Sequence, residues 1–250
     1  MPTRDSLNAI TIRGRLLSNY DFASSAASDS VMARKPAAEL VRGWVARMRG
    51  DRWDVAFGRL NATSDTFFVA FEAHQRKENP DQFDVVTNTP ARPDTGYYAR
   101  ASHAIAVAQA DFGPQQRPYN PAILERPSGQ FWVYLMPAQL RSNVFPLGAD
   151  VRYLVDRDGK TVLAKRRLHQ SLIESIPRRD DKAQLVAGTH TAVLDDIPED
   201  TDVFHVLVRQ PQVPEFVVTD AFVYHIGLDG VIRVVGRSSE LLGDKGKTSP

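Results

Sequence analysis

The chain has 250 residues, of which 42% are hydrophobic, 9% aromatic and 24% charged. This composition is that of an ordinary globular protein, and it excludes collagen-like, coiled-coil and wholly disordered chains. Lysine and arginine together number 31 and aspartate and glutamate 30. The formal net charge of +1 creates no overall field that would draw the chain to nucleic acid or to an anionic membrane, so we expect no nucleic-acid partner.

Cysteine is absent, which excludes disulfides, thiolate zinc sites and cysteine nucleophiles. No apolar run approaches the roughly 20 residues that cross a bilayer, and the first residues lack the apolar stretch of a secretory signal. We therefore expect a soluble protein without a membrane span. Its default location is the cytoplasm, and it would be exported if a signal precedes the given chain.

The domain organisation follows from changes in composition along the chain. Residues 1–34 are rich in serine, alanine and aspartate and show no sustained hydrophobic period, which predicts a poorly ordered N-terminal arm. Residues 35–236 are predicted to form the globular region. Two prolines punctuate the segment 87–96, which makes it the candidate internal boundary. Residues 237–250 are short, polar and glycine-containing, and we expect a frayed tail.

Two main helices are predicted from apolar spacing. Leu40, Trp44 and Met48 recur every four residues ahead of Gly50, which is typical of an amphipathic helix with a glycine stop. The alanine-rich segment Tyr97–Phe112 places its apolar residues on one face and ends at a Gly-Pro pair, which predicts the second helix.

Strands dominate the rest of the chain, and we expect about nine or ten of them, mostly antiparallel. The pairs Asp158-Gly159 and Asp229-Gly230 predict tight hairpin turns, because both central positions of a type I′ turn need positive φ. Since the strands do not alternate regularly with helices, the pattern favours the α+β class, with a β-rich C-terminal half, over a parallel α/β sheet.

Histidines point to a candidate metal site in the β-rich half. A hairpin between 184–193 and 202–209 would place His190 and His205 on one face, roughly 7–8 Å apart by Cα. The candidate carboxylate ligands from the acidic stretch around the connection are Asp195, Asp196 and Asp202. Imidazole and carboxylate together suit a divalent cation, and an open site would activate water. Alternatively, both histidines fill half-buried strand positions, and a one-residue change of register would separate them.

A basic group lies on the hairpin around Asp158-Gly159. Alternation places Arg152, Lys165, Arg167 and His169 on one face. Lys165 would lie opposite Arg152, where like charges repel unless an anion lies between them. Arg152, Lys165 and Arg167 are a candidate anion-binding site. The alternative is a solvated sheet face whose charges discourage edge pairing.

No motif assigns a reaction. The chain lacks G-x-S-x-G, H-E-x-x-H and G-x-G-x-x-G patterns and an EF-hand loop. The leading prediction is a non-catalytic binding or structural α+β protein. The alternative is a metal-dependent hydrolase-like enzyme that uses His190 and His205, and a third hypothesis is an anion-binding module. Whether the protein is an enzyme is left open. No cofactor is firmly implied beyond the divalent metal of the second hypothesis, the partner is unknown, and a homodimer is an open alternative.

Overall fold

A computed structural model describes residues 1–61, 63, 65–174 and 185–243. These residues form four helices and fourteen strands, and all strand pairs but one are antiparallel. The α+β class is therefore confirmed, with more strands than the nine or ten predicted. In the part of the chain that is described, no helix is both long enough and apolar enough to cross a membrane.

The chain begins with helix α1, Arg4–Met32, where an arm was predicted over 1–34. The Thr3 hydroxyl caps it by accepting a hydrogen bond from the Ser6 N–H at 3.1 Å. Much of its buried stripe is alanine, serine, threonine and glycine rather than large apolar residues. The large apolar residues of α1 are therefore sparse among polar and small ones, which is why the sequence pattern did not indicate a helix.

The first sheet is an antiparallel meander under α1. Its strands are β1 (Gly43–Arg49), β2 (Arg52–Asn61), β3 (Thr66–Gln75) and β4 (Phe83–Asp94). The helix predicted up to Gly50 is wrong, because Trp44 and Met48 lie in β1 and pair with β2. The candidate boundary at 87–96 coincides mostly with β4. That strand accommodates its prolines because it lies at the sheet edge.

Helix α2, Tyr97–Phe112, matches the prediction and packs between the first sheet and the second. The second sheet contains β5 (Tyr119–Glu125), β6 (Phe131–Pro137), β8 (Val151–Val155) and β9 (Val162–Arg167), in that order. Two short strands, β7 (Pro146–Gly148) and β10 (Leu172–Glu174), pair beside it. The predicted turn at Asp158-Gly159 is confirmed as the link between β8 and β9.

The third four-stranded sheet lies near the C-terminus. Its strands are β11 (Gly188–Thr191), β12 (Glu215–Val218), β13 (Phe222–Ile226) and β14 (Ile232–Arg237), followed by helix α4 (Ser238–Leu242). The hairpin predicted between 184–193 and 202–209 is wrong: helix α3, Asp200–Val208, connects two parallel strands, β11 and β12. Residue 184, and residues 244–250 of the predicted tail, lie outside the described residues.

Two hydrophobic cores result, and α1 contributes to both. Its C-terminal part, from Leu17 to Val31, packs into the large core with the first two sheets and α2. Its N-terminal Leu7 and Ile10 pack with α3 and the third sheet in the smaller core. Between these parts Gly14 lies against α3, where a Cβ would come within 2.4 Å of the Val203 Cβ. The small core is therefore anchored to the large one through α1.

Candidate metal centre

Two imidazoles and one carboxylate converge between the second and third sheets. His169 follows β9, His190 lies in β11, and Asp202 lies in the first turn of α3. The Asp202 Oδ1 is 2.9 Å from the His169 Nε2 and 3.1 Å from the His190 Nε2. Among the described residues, this is the set of three whose ligand atoms all lie within 4.8 Å of one another.

The Nδ1 atom of each ring, on the side away from Asp202, also contacts a buried carboxylate. The His169 Nδ1 is 2.7 Å from the Asp150 Oδ1, and the His190 Nδ1 is 3.0 Å from the Glu215 Oε1. Arg209 then pairs with the other oxygen of Glu215 at 2.8 Å. We call this alternating series the His–carboxylate ladder; in order, it consists of Asp150, His169, Asp202, His190, Glu215 and Arg209.

The N-terminus of α3 fixes the orientation of the central carboxylate. Glu199 and Asp202 form a capping box, in which the Asp202 Oδ2 accepts a hydrogen bond from the Glu199 N–H at 2.7 Å. This contact occupies Oδ2 and leaves Oδ1 facing the two imidazoles. The capping box of α3 therefore fixes the Asp202 side chain without the help of a metal ion.

A glycine in β11 makes room for the far end of the ladder. A Cβ on Gly188 would lie 1.9 Å from the Glu215 Oε2 and 2.7 Å from the Arg209 Nη1. Any larger residue there would displace the ion pair that orients His190. The backbone of β11 therefore approaches the Glu215–Arg209 pair closely because position 188 has no side chain.

Burial and charge act in opposite directions on the two imidazoles. Burial lowers the pKa of His169, but the carboxylates of Asp202 and Asp150 outweigh it and raise the value to about 11. For His190, burial is likewise outweighed by Asp202 and Glu215, and the pKa rises to about 9. Burial would raise the pKa of Asp202, but the two histidines outweigh this effect and hold that pKa well below its ordinary value. In the metal-free protein both rings are therefore cationic at neutral pH.

Beside the ladder lies a second buried charge network. Asp200 is fully buried; it accepts hydrogen bonds from the Tyr134 hydroxyl at 2.7 Å and the Arg13 Nε at 2.8 Å, and also from Arg152. Two arginines therefore saturate this carboxylate. It is not available to a metal ion, although it precedes Asp202 by only two residues.

The structure brings together two of the five residues proposed as metal ligands, His190 and Asp202. His205 is buried one helical turn beyond Asp202 and does not join the three converging ligand atoms. Burial, together with Arg209, lowers the pKa of His205 to about 4. Asp195 instead pairs with Arg166 at 2.6 Å, and Asp196 is exposed. The two loop carboxylates therefore do not contribute ligands.

His169 was not among the predicted candidate ligands, because hairpin alternation assigned it to a solvated sheet face. The structure buries it, with 7% of its surface exposed. A signal was available in the sequence: Asp150 and His169 flank the two ends of the Asp158-Gly159 hairpin, so closing that hairpin brings an acid and a histidine together. Its third partner, Asp202, comes from α3 and could not be found in this way.

The three residues of the candidate anion site do not converge. A bulge at Leu154/Val155 shifts the register so that Arg152 pairs with Arg166, and the predicted opposition of Lys165 to Arg152 is wrong. Arg152 is ion-paired with Asp200, and Lys165 pairs with Asp111 at 2.8 Å. Arg167 is exposed. Because Arg152 and Lys165 are already paired with different carboxylates, the three residues do not form one anion site.

The fold and the site together define an α+β protein with a buried His–carboxylate cluster between two sheets. Comparison with known proteins found no matching family model, no matching curated protein and no matching solved structure. The function therefore has to be argued from the geometry of the cluster itself.

Proposed function

We propose that the protein binds one divalent transition-metal ion through the Nε2 atoms of His169 and His190 and the carboxylate of Asp202. The observation that carries the proposal is the common orientation of the two rings. Each directs Nε2 towards Asp202 and Nδ1 towards a buried carboxylate. Metal-binding histidines commonly have this arrangement, because the outer carboxylate fixes the ring and increases the basicity of the ligand nitrogen.

The distances fit ligands that share one ion. With metal–ligand bonds of about 2.0–2.2 Å, two ligands lie about 3.0 Å apart at a right angle and about 3.4 Å apart at the tetrahedral angle. The two Nε2–Oδ1 distances are 2.9 and 3.1 Å. Moreover, the His190 Nε2 has no properly aligned hydrogen-bond partner, although Asp202 is this close. Two ligand atoms that point at the same metal ion, rather than at each other, would have this geometry.

The charge of the ladder indicates a divalent ion. Asp150, Asp202 and Glu215 carry three negative charges and Arg209 one positive charge, which leaves an excess of two negative charges. In the metal-free protein, two imidazolium protons balance this excess. One divalent ion bound to two neutral imidazoles balances it equally, so the exchange leaves no net charge buried. Two nitrogen ligands with one oxygen favour zinc or a neighbouring transition metal over calcium or magnesium.

Burial favours a structural role over the hydrolase hypothesis. The three ligands are at most 7% exposed. A cavity of about 470 Å³ reaches Asp150, but none of the three ligands lines it. A catalytic ion needs a position open to substrate, whereas a structural ion is enclosed. Since the ligands come from beside the second sheet, from the third sheet and from α3, the ion would act as a cross-link within a non-catalytic protein.

Metal analysis of the purified full chain tests the proposal. After treatment with EDTA and removal of the chelator, we expect one equivalent of Zn²⁺ to bind. A hundredfold excess over the Kd would add about 2.7 kcal/mol of stability and raise the Tm by about 5–10 °C. His190→Gln replaces the ligand imidazole by a neutral amide, which is a poor zinc ligand, and it should abolish the shift. Glu215→Gln should weaken affinity about tenfold to a hundredfold.

His74→Ala is the matched control. His74 also pairs with a carboxylate, Asp54 at 2.7 Å, but it lies in the first sheet and belongs to no converging set of three ligand residues within the described part of the chain. Zinc binding by this variant should equal that of the unmodified protein. If no metal binds stoichiometrically, or if His190→Gln binds it equally well, the ladder is only a network of buried ion pairs and the proposal is wrong.

A further inference from the structure

We propose that α3 and the third sheet form a hinged module, which opens away from the second sheet and so lets the metal ion in and out. The inference rests on the proposed metal centre and concerns its regulation. The hinged module consists of residues 4–15 and 188–243, which hold the N-terminal part of α1, α3, the third sheet and α4. The three proposed ligands are at most 7% exposed. An ion therefore reaches them only if the chain around them moves.

The proposed ligands lie on both sides of such an opening. His190 and Asp202 belong to the hinged module, and so does Glu215, which pairs with His190. His169 and its partner Asp150 belong to the second sheet side. Opening would part the His169 Nε2 from the Asp202 Oδ1, which are 2.9 Å apart, and would leave the other two ligands together. The ion would enter at this contact and meet two ligands already in place.

Charged groups hold the module against the second sheet. We call this contact the seam; its ion pairs are Glu199–Arg166, Asp200–Arg152 and Asp202–His169. The hydrophobic residues on its two sides belong to separate cores, although Phe204 of α3 packs against the large one. Relative motion is the expected behaviour of two parts unless their interface is large and hydrophobic. The polar seam therefore favours opening of the module as a unit.

Packing beside the seam is incomplete. A cavity of about 470 Å³ has Phe204 and Val208 of α3 in one wall and Ala122 and Met136 of the second sheet in another. Protein interiors are normally close-packed, with few voids larger than a water molecule. Helix α3 is therefore held less firmly on this side than a continuous core would hold it.

Helix α1 supplies the hinge. Side chains of its N-terminal part donate hydrogen bonds to the rest of the module, through Thr11, Arg13 and Arg15. From Leu17 onwards, its buried apolar side chains belong to the large core. The change of partner therefore falls within residues 15–17. Gly14, the one glycine of α1, adjoins it, and a residue without a side chain resists bending of a helix least.

Distances between two nitroxide labels test the inference on the full chain, which has no cysteine of its own. Met48→Cys and Val193→Cys place one label on the first sheet and one on the module, both at exposed positions. In EDTA, pulsed electron–electron double resonance should show a second, longer distance. A concentration of 1 M NaCl should enrich this distance, because it screens charges beyond about 3 Å. After removal of EDTA, one equivalent of Zn²⁺ should abolish it.

Met48→Cys with Leu163→Cys is the matched control pair. Leu163 is exposed on β9, so both labels lie outside the hinged module. This pair should show one distance in EDTA, in 1 M NaCl and with zinc. A change in this pair as well would mean that the chain loosens as a whole, and it would overturn the assignment of the motion to the module.

The rate of zinc release measures the opening without labels. Arg166→Gln removes the partner of Glu199 across the seam and is not one of the three ligands. If the ion leaves from the open form, this variant should release Zn²⁺ to excess chelator about fivefold faster or more, because the closed form loses a charged hydrogen bond. Arg76→Gln breaks a comparable ion pair with Asp84 beside the first sheet and should release zinc at the unmodified rate.

The outcomes separate the hinge from the metal centre. A single distance across the seam that neither salt nor zinc changes, or equal release rates from Arg166→Gln and Arg76→Gln, would overturn the hinge and leave the metal centre standing. Absence of stoichiometric zinc binding would instead overturn the metal centre. The salt series in EDTA needs no metal and would then still decide whether the module opens.

Discussion

Each imidazole of the His–carboxylate ladder meets a carboxylate at both ring nitrogens. His169 lies between Asp150 and Asp202, and His190 between Asp202 and Glu215. An ionised carboxylate accepts hydrogen bonds and attracts positive charge, so in the absence of metal this environment favours the doubly protonated, cationic form of each ring. This preference agrees with pKa values raised to about 11 for His169 and about 9 for His190. If the proposed metal site is correct, metal and protons compete for the Nε2 atoms.

The metal-free protein should lose stability as the pH rises. The pKa values of both histidines lie above the ordinary 6.5. The folded state consequently holds its protons at a pH where the unfolded chain has released them. Their stabilising contribution is complete below about pH 6.5 and declines as the pH rises towards 9 and then 11. Urea denaturation in EDTA at pH 6.5, 8 and 9 measures this decline.

Saturating zinc should reverse the sign of this pH dependence. With metal bound, the rings of the folded protein carry no proton on Nε2, so it is the unfolded chain that binds more protons at low pH. Stability should then increase from pH 5.5 to 7 and level off. Identical pH profiles with and without zinc would contradict the assignment of His169 and His190 as ligands.

At the scale of elements, the crossing of α1 and α3 depends on a residue without a side chain. Gly14 of α1 lies where a Cβ would approach the Val203 Cβ to 2.4 Å and the Asp200 carbonyl oxygen to 2.7 Å. The same crossing lets Arg13 reach Asp200 at 2.8 Å. Since Asp202 lies in the first turn of α3, the position of α1 also determines where the central carboxylate of the ladder lies.

Substitution of this glycine should therefore destabilise the protein, against the usual rule for helices. Gly→Ala inside a helix normally adds about 0.5–1 kcal/mol of stability. For Gly14→Ala the forced separation of the two helices should cost about 1–3 kcal/mol in total. Equilibrium urea denaturation measures the change. Asn8→Ala, at an exposed position of the same helix, is the control and should be neutral or slightly stabilising. A stabilised Gly14→Ala variant would disprove the close packing.

For the whole molecule, the ladder lies at the junction of two hydrophobic cores. The large core holds the first two sheets and α2, and the small core holds α3 and the third sheet. Helix α1 contributes buried side chains to both cores, through Leu17 in the large one and Leu7 in the small one. Phe204 of α3 also packs against the large core. An ion held by His169, His190 and Asp202 would add a further connection between these parts.

Hydrogen exchange should reveal this cross-link as local protection. On zinc binding, we expect slower amide exchange in β11, in α3 and around His169, because opening these segments would then require loss of the ion. The strands of the first sheet contribute no ligand and should exchange at unchanged rates. Uniform protection of the whole chain, or none near the ligands, would contradict a cross-linking role. His190→Gln with zinc is the control and should resemble the metal-free protein.

Predictions from the sequence were correct where the structure of a segment depends mainly on residues close together in the chain. The segment Tyr97–Phe112 carries alanines together with Ile105 and Phe112 on one face, followed by its own Gly-Pro stop signal, and its helix was predicted correctly. The Asp158-Gly159 turn was equally local. In contrast, Leu40, Trp44 and Met48 have helical spacing, yet pairing with β2 makes this region a strand. Helix α1 escaped detection because alanine, serine and glycine make up much of its buried face.

The sequence by itself determined the α+β class, the absence of cysteine chemistry, the second helix and the Asp158-Gly159 hairpin, because each depends on composition or on residues adjacent in the chain. It also indicated His190 and Asp202 as candidate ligands. Only the tertiary structure decided that His169 joins them, that His205 does not, and that Arg152 is neutralised by Asp200. These relations depend on the parallel β11–α3–β12 crossover and on the packing of α3 against α1. Contacts between segments so far apart in the chain are set by packing and register, which apolar periodicity does not encode.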